Sequence, residues 1–443
     1  MTESLSTAQV AKKPQRATLD PGQLAAIELL QSGCNVFLTG AAGTGKSTVT
    51  VAFIGASLRP VEVAATTGIA ALNLRDQFRA RSGIELNVST VYRWAGIQLG
   101  PMPGESFEDC FSRLQRTGGR SVGNAWRRVQ RAECLVIDEI SMLPGRVLSY
   151  LDWHCRTLRD CHAKPFGGLQ IVCVGDFLQL PPVSKSGVYD WAFQSEAWGK
   201  AGMVPAVLRT IHRQADPQFT ALLNAVRVGK VGAAEMDILR KRVPLFPKRE
   251  WLRLFTHNAQ VDKWNDYQLE NIEGEERVDE MEICDGPGVK FLLDNLLTPQ
   301  TLRLRVGARV MVTVNLTAES GELVLVNGSL GTVKDWCEES IWVTADADKH
   351  THAIPRFLWK ANLEREADGW VQQFPLRLAW ASTIHKAQGL SLDAALIDAR
   401  ATRDPGQTYV ALSRVRSLEG LHLRDMFTGV WVSPEAIKFM DSL

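Results

Sequence analysis

Apolar runs of strand length recur through the first half of the chain, and each ends at a glycine or an acid. NVFLTG (35–40) is one, CLVIDEI (beginning at Cys134) is a second, and LQIVCVGD (ending at Asp176) is a third. Continuous apolar runs suit strands buried on both faces of a parallel sheet. Before the first, QLAAIELL from Gln23 spaces its apolar positions as an amphipathic helix does. After it, STVTVAFIGASL reads as a second helix. Farther on the pattern changes to strict alternation. LRLRVGARVMVTVN (302–315) reads apolar–polar, and NGSLG (327–331) supplies turn chemistry. That segment is expected to form a small antiparallel barrel over about 302–373.

Composition narrows the class. The 443 residues exceed what one core accommodates and imply two or three domains. With 45% hydrophobic and 22% charged residues, the balance is that of an ordinary globular chain. No apolar run approaches the roughly 18 residues of a membrane span. Residues 1–18 lack a secretory core and read as a loose leader, so the expected location is cytoplasmic. The formal net charge of +1 excludes a polycation, so any nucleic-acid binding must come from a local stripe. Arg113, Arg116, Arg120, Arg127, Arg128 and Arg131 offer one, although a solvated helix face reads the same way. The eight Cys form no secreted framework. His154, Cys155, Cys161 and His162 cluster, but their spacing fits no common zinc site, and no structural metal is expected.

The strand endings carry the chemistry. The first runs into GAAGTGKST, the Walker A spacing, with Gly40, Gly45, Lys46 and Ser47 at its defining positions. Glycines let backbone N–H groups point at phosphate oxygens, Lys46 reaches the β- and γ-phosphates, and the Ser47 hydroxyl serves Mg²⁺. The nucleotide-binding run is therefore Gly40, Ala41, Ala42, Gly43, Thr44, Gly45, Lys46, Ser47 and Thr48. In such a site Asp138 holds Mg²⁺ and Glu139 polarises the attacking water. Two core carboxylates with no cation nearby would be costly. Gln179, just past the third strand, sits at the ligand-facing edge and is a candidate sensor of the γ-phosphate. ATP and Mg²⁺ are thus the expected cofactors. These residues say that a nucleotide is hydrolysed, not what the energy drives.

Several further strings, in order, resemble the petite-integration-frequency (Pif) helicase family of superfamily 1. They are AATTGIAALNL (64–74), DEISML (138–143), PFGGLQIVCVGDFLQLPPV (165–183), LRTIHRQADPQF (208–219), LVNGSLGTV (325–333), LAWASTIHKAQGLSLD (378–393) and TYVALSRVRS (408–417). The resemblance covers roughly residues 20–425. It departs from the family pattern at Tyr92 and Arg93, where His and Ser are usual, and at Ala387, where Ser is common.

The resemblance implies an α/β fold of two RecA-like lobes. The first would span 19–184, with a wedge-forming excursion at about 84–128. The second would span 185–301 and 374–443 and be interrupted by the barrel. It implies that Gln23 reads the adenine edge, that Gln388 and Gly389 join the nucleotide site, and that Arg213 and Arg414 reach the γ-phosphate from the second lobe. It assigns DNA contacts to Thr67, Gly68, Thr90, Thr383, His385 and Lys386; among the thirteen Trp, most of them expected in cores, residue type alone makes Trp94 a candidate for stacking on a base. The implied activity is ATP-dependent, 5′-to-3′ DNA unwinding by a monomer. The expected partners are single-stranded DNA and forked or partial duplexes, with G-quadruplex and RNA–DNA hybrid open and no membrane. A translocase that unwinds poorly and a RecD-like recombination subunit are the alternatives. An inert DNA-binding scaffold is disfavoured by the complete set of Lys46, Asp138, Glu139 and Arg414.

Overall fold

The computed structural model describes all residues except 1–18, 84–85, 118, 185, 249–250, 287, 318–322, 362–368 and 428, so the expected leader lies outside the described residues. The order of the first elements follows the apolar runs. Helix α1 (Pro21–Gln31) starts where Asp20 accepts the Gln23 N–H (2.9 Å) and Gln23 Oε1 accepts the Asp20 N–H (3.1 Å). This reciprocal cap satisfies two N–H groups that a helix start otherwise leaves unpaired. Strand β1 (Val36–Gly40) is buried along its whole length and delivers the chain into helix α2 (Lys46–Ala56).

The remaining strands of this sheet are β2 (Val61–Ala65), β3 (Val88–Thr90), β4 (Cys134–Asp138), β5 (Gln170–Gly175) and β6 (Val204–Leu208). All pair in parallel, in the order β3-β2-β4-β5-β1-β6. Because β4, β5 and β1 are neighbours, Asp138, the residues after Gly175 and the loop after Gly40 emerge side by side at one edge. That edge is where open α/β sheets bind ligands. The helix α3 (Gly68–Ser82) follows β2.

A second parallel sheet runs in the order Ala381–Thr383, β7 (Leu252–Phe255), Ala395–Ile397, Leu421–Leu423. Helices Pro217–Arg227 and Gln407–Leu412 share its core through Phe219, Leu222, Val226, Tyr409 and Val410. Among the described residues no helix is long and apolar enough to cross a membrane.

Four boundaries differ from the sequence expectation. Residues 185–208 do not open the second lobe, since β6 pairs along β1 from Val36↔Val204 to Gly40↔Leu208. β6 lies at the sheet edge and carries Pro205 inside its apolar run VPAVL, and a proline there demotes the run as a strand signal. The segment about 84–128 is not solely an excursion. It supplies β3 to the sheet, and helices Phe107–Thr117 and Gly119–Arg131 bury Cys110, Leu114 and Val129 in the first core. Antiparallel strands extend beyond 302–373 at both ends. Glu276–Glu280 pairs with Thr301–Arg305, and Leu376–Leu378 pairs with Arg309–Val312. The strand ERVDE escaped notice because it is mostly charged; its Glu276 ion-pairs with Arg303 (2.7 Å) and Arg305 (3.1 Å) across the ladder. Finally, helix Pro434–Asp441 returns to the first core, where Phe439 stacks on Phe193 (ring centroids 4.4 Å). The chain end therefore straps the second lobe to the first.

Candidate active site

The loop between β1 and α2 needs glycine for two close approaches. Gly43 has φ +85°, and a Cβ there would fall 2.6 Å from the Arg213 Cβ. Gly45 has the same φ, and its Cβ would fall 2.4 Å from Gln23 Nε2. So the loop is covered from two sides. Gln23 donates to the Thr44 carbonyl (3.2 Å), and the His212 N–H donates to the Gly43 carbonyl (2.8 Å). Lys46 Nζ donates to the carbonyls of Gly40 (2.8 Å) and Ala41 (3.2 Å), so the ammonium lies inside the loop's curl. α2 begins at Lys46 and points its first N–H groups into the same space, as an anion requires.

Asp138 ends β4 and Glu139 follows it. Glu139 sits in the left-handed region (φ 54°, ψ 43°), a strained position for a residue with a Cβ and one that recurs at functional sites. Burial, then repulsion from Glu139, pushes the Asp138 carboxyl up, and burial does the same to Glu139, while Lys46 opposes both. Burial in turn pushes the Lys46 ammonium down. Ser47 and Asp138 line the same cavity and offer the hard oxygen donors that Mg²⁺ takes. A divalent cation there would relieve the carboxylate repulsion.

The cavity has a volume of about 520 Å³ and collects residues from both lobes. Ala42, Gly43, Gly45, Lys46, Ser47, Thr48, Asp138, Glu139 and Gln179 come from the first lobe. Arg213, His385, Gln388, Gly389 and Arg414 come from the second-lobe side. Arg414 is 2% exposed, with Nε donating to the Val410 carbonyl (2.8 Å) and Nη2 to the Ser413 hydroxyl (2.8 Å). Arg213 Nη1 donates to the Ser413 carbonyl (3.2 Å). Burial lowers the pKa of both guanidinium groups, and in Arg414 the neighbouring Arg213 adds to it. Neither has a carboxylate within ion-pair distance among the described residues. A buried guanidinium with a half-buried one beside it and no counter-ion is costly unless an anion joins them. A polyphosphate between the lobes is the anion this cleft fits.

Three participants escaped the sequence reading. His212 lines the cavity beside Gln23, with Nε2 2.9 Å from Asp20 Oδ2. Arg227, on helix Pro217–Arg227, grips the fully buried Asp176 through two bonds of 2.8 and 3.0 Å. Burial alone would raise the Asp176 carboxyl, but Arg227 and Lys46 more than offset it and hold it below its usual range. Tyr409 accepts the Ala42 N–H through its hydroxyl (2.8 Å).

The residues expected on DNA do different local work. Thr67 and Thr90 cap helices, accepting the N–H groups of Ala70 (3.2 Å) and Arg93 (3.3 Å). Thr383 is buried and accepts the Lys386 N–H (3.2 Å). Gly68 lies so close to Asn295 that a Cβ would fall 2.0 Å from it. Thr67 and His385 line the nucleotide cavity itself. Burial lowers the pKa of both His385 and Lys386.

Trp94 is a correction. It is 1% exposed, and its Nε1–H donates to Glu62 (3.1 Å), so it is a core side chain and cannot stack on a base. The arginine stripe also divides. Arg113 pairs with Glu105 (2.8 Å), and Arg128 donates to the carbonyls of Arg93 and Trp94, while Arg116, Arg127 and Arg131 face solvent. His154 is packed among Phe111, Trp126 and Tyr150 and bonds the Ala95 carbonyl (3.1 Å), while Cys155 is fully buried.

Known proteins resemble this chain over nearly its whole length. Residues 15–236 match the family model described as PIF1-like helicase. The ATP-dependent DNA helicase PIF1 of Danio rerio is 36% identical over 431 residues, covering 93% of this chain and 62% of that protein. The chain thus spans about three fifths of the length of that vertebrate relative. The ATP-dependent DNA helicase Pif1 of Bdellovibrio bacteriovorus is 34% identical over 410 residues, covering 91% of this chain and 87% of that one. A Bacteroides Pif1 helicase solved with ADP-AlF3 and single-stranded DNA aligns with TM-score 0.64 at 32% identity, covering 96% of this chain and 97% of that one.

Proposed function

The chain belongs to the PIF1-like helicase family, and from that premise we propose that it is an ATP-driven motor that moves 5′ to 3′ along single-stranded DNA and opens duplexes in its path. The observation that carries the reading is the single cavity to which one lobe brings Lys46, Asp138 and Glu139 and the other brings Arg213 and Arg414. In this reading Lys46 and the N–H groups at the start of α2 hold the phosphates. Gln23, with His212 beside it, borders the space for the base. Glu139 orients the attacking water, and Gln179 senses the γ-phosphate. Ser47 and Asp138 would hold Mg²⁺, which supplies charge neutralisation on the transferring phosphoryl group.

Arg213 and Arg414 gain their anionic partner only when the lobes flank a triphosphate, so nucleotide favours closure and hydrolysis releases it. Alternating closure moves DNA if each lobe holds the strand in turn. The Bacteroides relative, solved with a nucleotide analogue and single-stranded DNA, supports that assignment of ligands. Forked and partial duplexes are the proposed substrates, and G-quadruplex and RNA–DNA hybrid belong to the same proposal. Opening one base-pair step requires on the order of 1.4 kcal/mol. The first test is ATP hydrolysis with Mg²⁺, with and without single-stranded DNA. Turnover should rise severalfold with the strand present. Turnover indifferent to DNA would reject the motor.

A further inference from the structure

One short helix of the second lobe meets the nucleotide machinery at three successive points. Helix Gln407–Leu412 begins after Gly406, which lies so close to the backbone of Gln179 that a Cβ would fall 2.4 Å from its carbonyl oxygen. One turn on, the Tyr409 hydroxyl accepts the Ala42 N–H at 2.8 Å, inside the phosphate-binding loop. The helix ends at Ser413 and Arg414, where the Arg414 guanidinium folds back onto Val410 and Ser413. Tyr409 itself is 2% exposed, and burial pushes its phenol up to about 12, so the hydroxyl stays protonated. The loop, the sensor Gln179 and Arg414 are therefore all registered against one rigid turn.

We propose that Tyr409 is a positioning residue, which ties the phosphate loop to the helix that carries Arg414 and so sets where that guanidinium meets the γ-phosphate. The inference rests on the ATP-hydrolysing reading above and adds a residue to it. The bond spans the two lobes and uses a loop N–H, so Ala42 is held by protein rather than left for a phosphate. A ring in this place without its hydroxyl would fill the same space but leave the Ala42 N–H unpaired. Arg414 would then sample positions off its line to the transferring phosphoryl group, and misplacement of a positioned group lowers turnover more than ground-state binding.

The experiment compares wild type, Tyr409→Phe, Arg414→Ala and the double variant for DNA-stimulated ATP turnover, KM for ATP and affinity for ADP with and without aluminium fluoride. Tyr409→Phe should lower kcat about 3–10-fold, the worth of one neutral hydrogen bond. KM and ADP affinity should stay within about twofold, while the aluminium fluoride complex should weaken in step with kcat. The double variant should be no slower than Arg414→Ala, because both changes remove the same contact. Wild-type turnover in Tyr409→Phe would overturn the proposal. A loss that multiplies with that of Arg414→Ala, or that appears equally in ADP affinity, would overturn it as well, by showing that Tyr409 only supports the fold. An inactive wild type would instead reject the underlying ATPase reading.

Discussion

The two lobes bring unequal charge to the cleft. Both acids that line it, Asp138 and Glu139, stand on the first lobe at the end of the buried strand β4, where Lys46 and Arg81 of the same lobe line the cavity with them. From the second-lobe side come Arg213, Arg414 and Arg416, with no acid lining the cavity. Only the first-lobe face carries both signs of charge. The guanidiniums need an anion, and a further cation would relieve the repulsion that Lys46 leaves between the two acids, so the pair of faces suits a metal–polyphosphate. Away from the cavity the same interface is already neutralised, where Asp176 and Arg227 pair in a buried two-bond contact. An interface with one satisfied pair and one unsatisfied cleft can stay assembled while its opening responds to ligand.

The largest expected effect breaks the cleft from the guanidinium side. Arg414→Ala should lower turnover by about 10³–10⁵ while ATP affinity changes little, since a contact made in the closed state serves the transition state. Separate measurement of nucleotide affinity and single-turnover rate checks this, and unchanged turnover would assign Arg414 to structure alone.

The neutralised contact gives the next effect. Asp176→Asn leaves Arg227 buried with half its partner and should cost about 3–5 kcal/mol of stability. Arg227→Met in the same chain should recover much of that loss, because removing both charges is far less costly than removing one. Denaturant unfolding of the single and double variants decides the matter, and equal stabilities would mean that the pair does not hold the lobes.

A smaller effect lies wholly within the first lobe and should spare the cleft. His154 is packed among three aromatic rings, and burial pushes its imidazole pKa down to about 4. Its folded value lies below its unfolded value of about 6.5, so the unfolded chain binds the proton more readily between the two. The corresponding stability is complete above pH of about 6.5 and is lost as pH falls toward about 4, by on the order of 3 kcal/mol. His154→Gln should flatten that part of the pH–stability curve, and an unchanged slope would place its origin in other groups.

What the sequence disclosed follows from how local each feature is. Lys46, Ser47, Asp138 and Glu139 sit in contiguous strings whose residue types are fixed by phosphate and metal chemistry, so they could be read directly. Tyr409 and Ala42 are 367 positions apart, and Asp176 and Arg227 are 51 apart on different lobes. No spacing rule brings such pairs together. β6 was hidden because Pro205 interrupts its apolar run as a strand signal, and the helix Pro434–Asp441 because its apolar face belongs to the lobe it does not follow in sequence. Trp94 misled for the opposite reason: composition suggests an aromatic for stacking, but only packing shows that its indole is spent on Glu62. The hydroxyls of Thr67, Thr90 and Thr383 all accept local N–H groups, a role that residue type alone does not separate from holding a phosphate.

The central claim is that closure of this cleft drives movement in one direction along a single strand. It is tested most directly by two partial duplexes of equal stability, one with a 5′ single-stranded tail and one with a 3′ tail, each incubated with the protein, Mg²⁺ and ATP. The account predicts efficient strand displacement from the 5′-tailed substrate and little from the 3′-tailed one, with Arg414→Ala displacing neither. Preferential displacement of the 3′-tailed substrate, or displacement by Arg414→Ala at the wild-type rate, would contradict it.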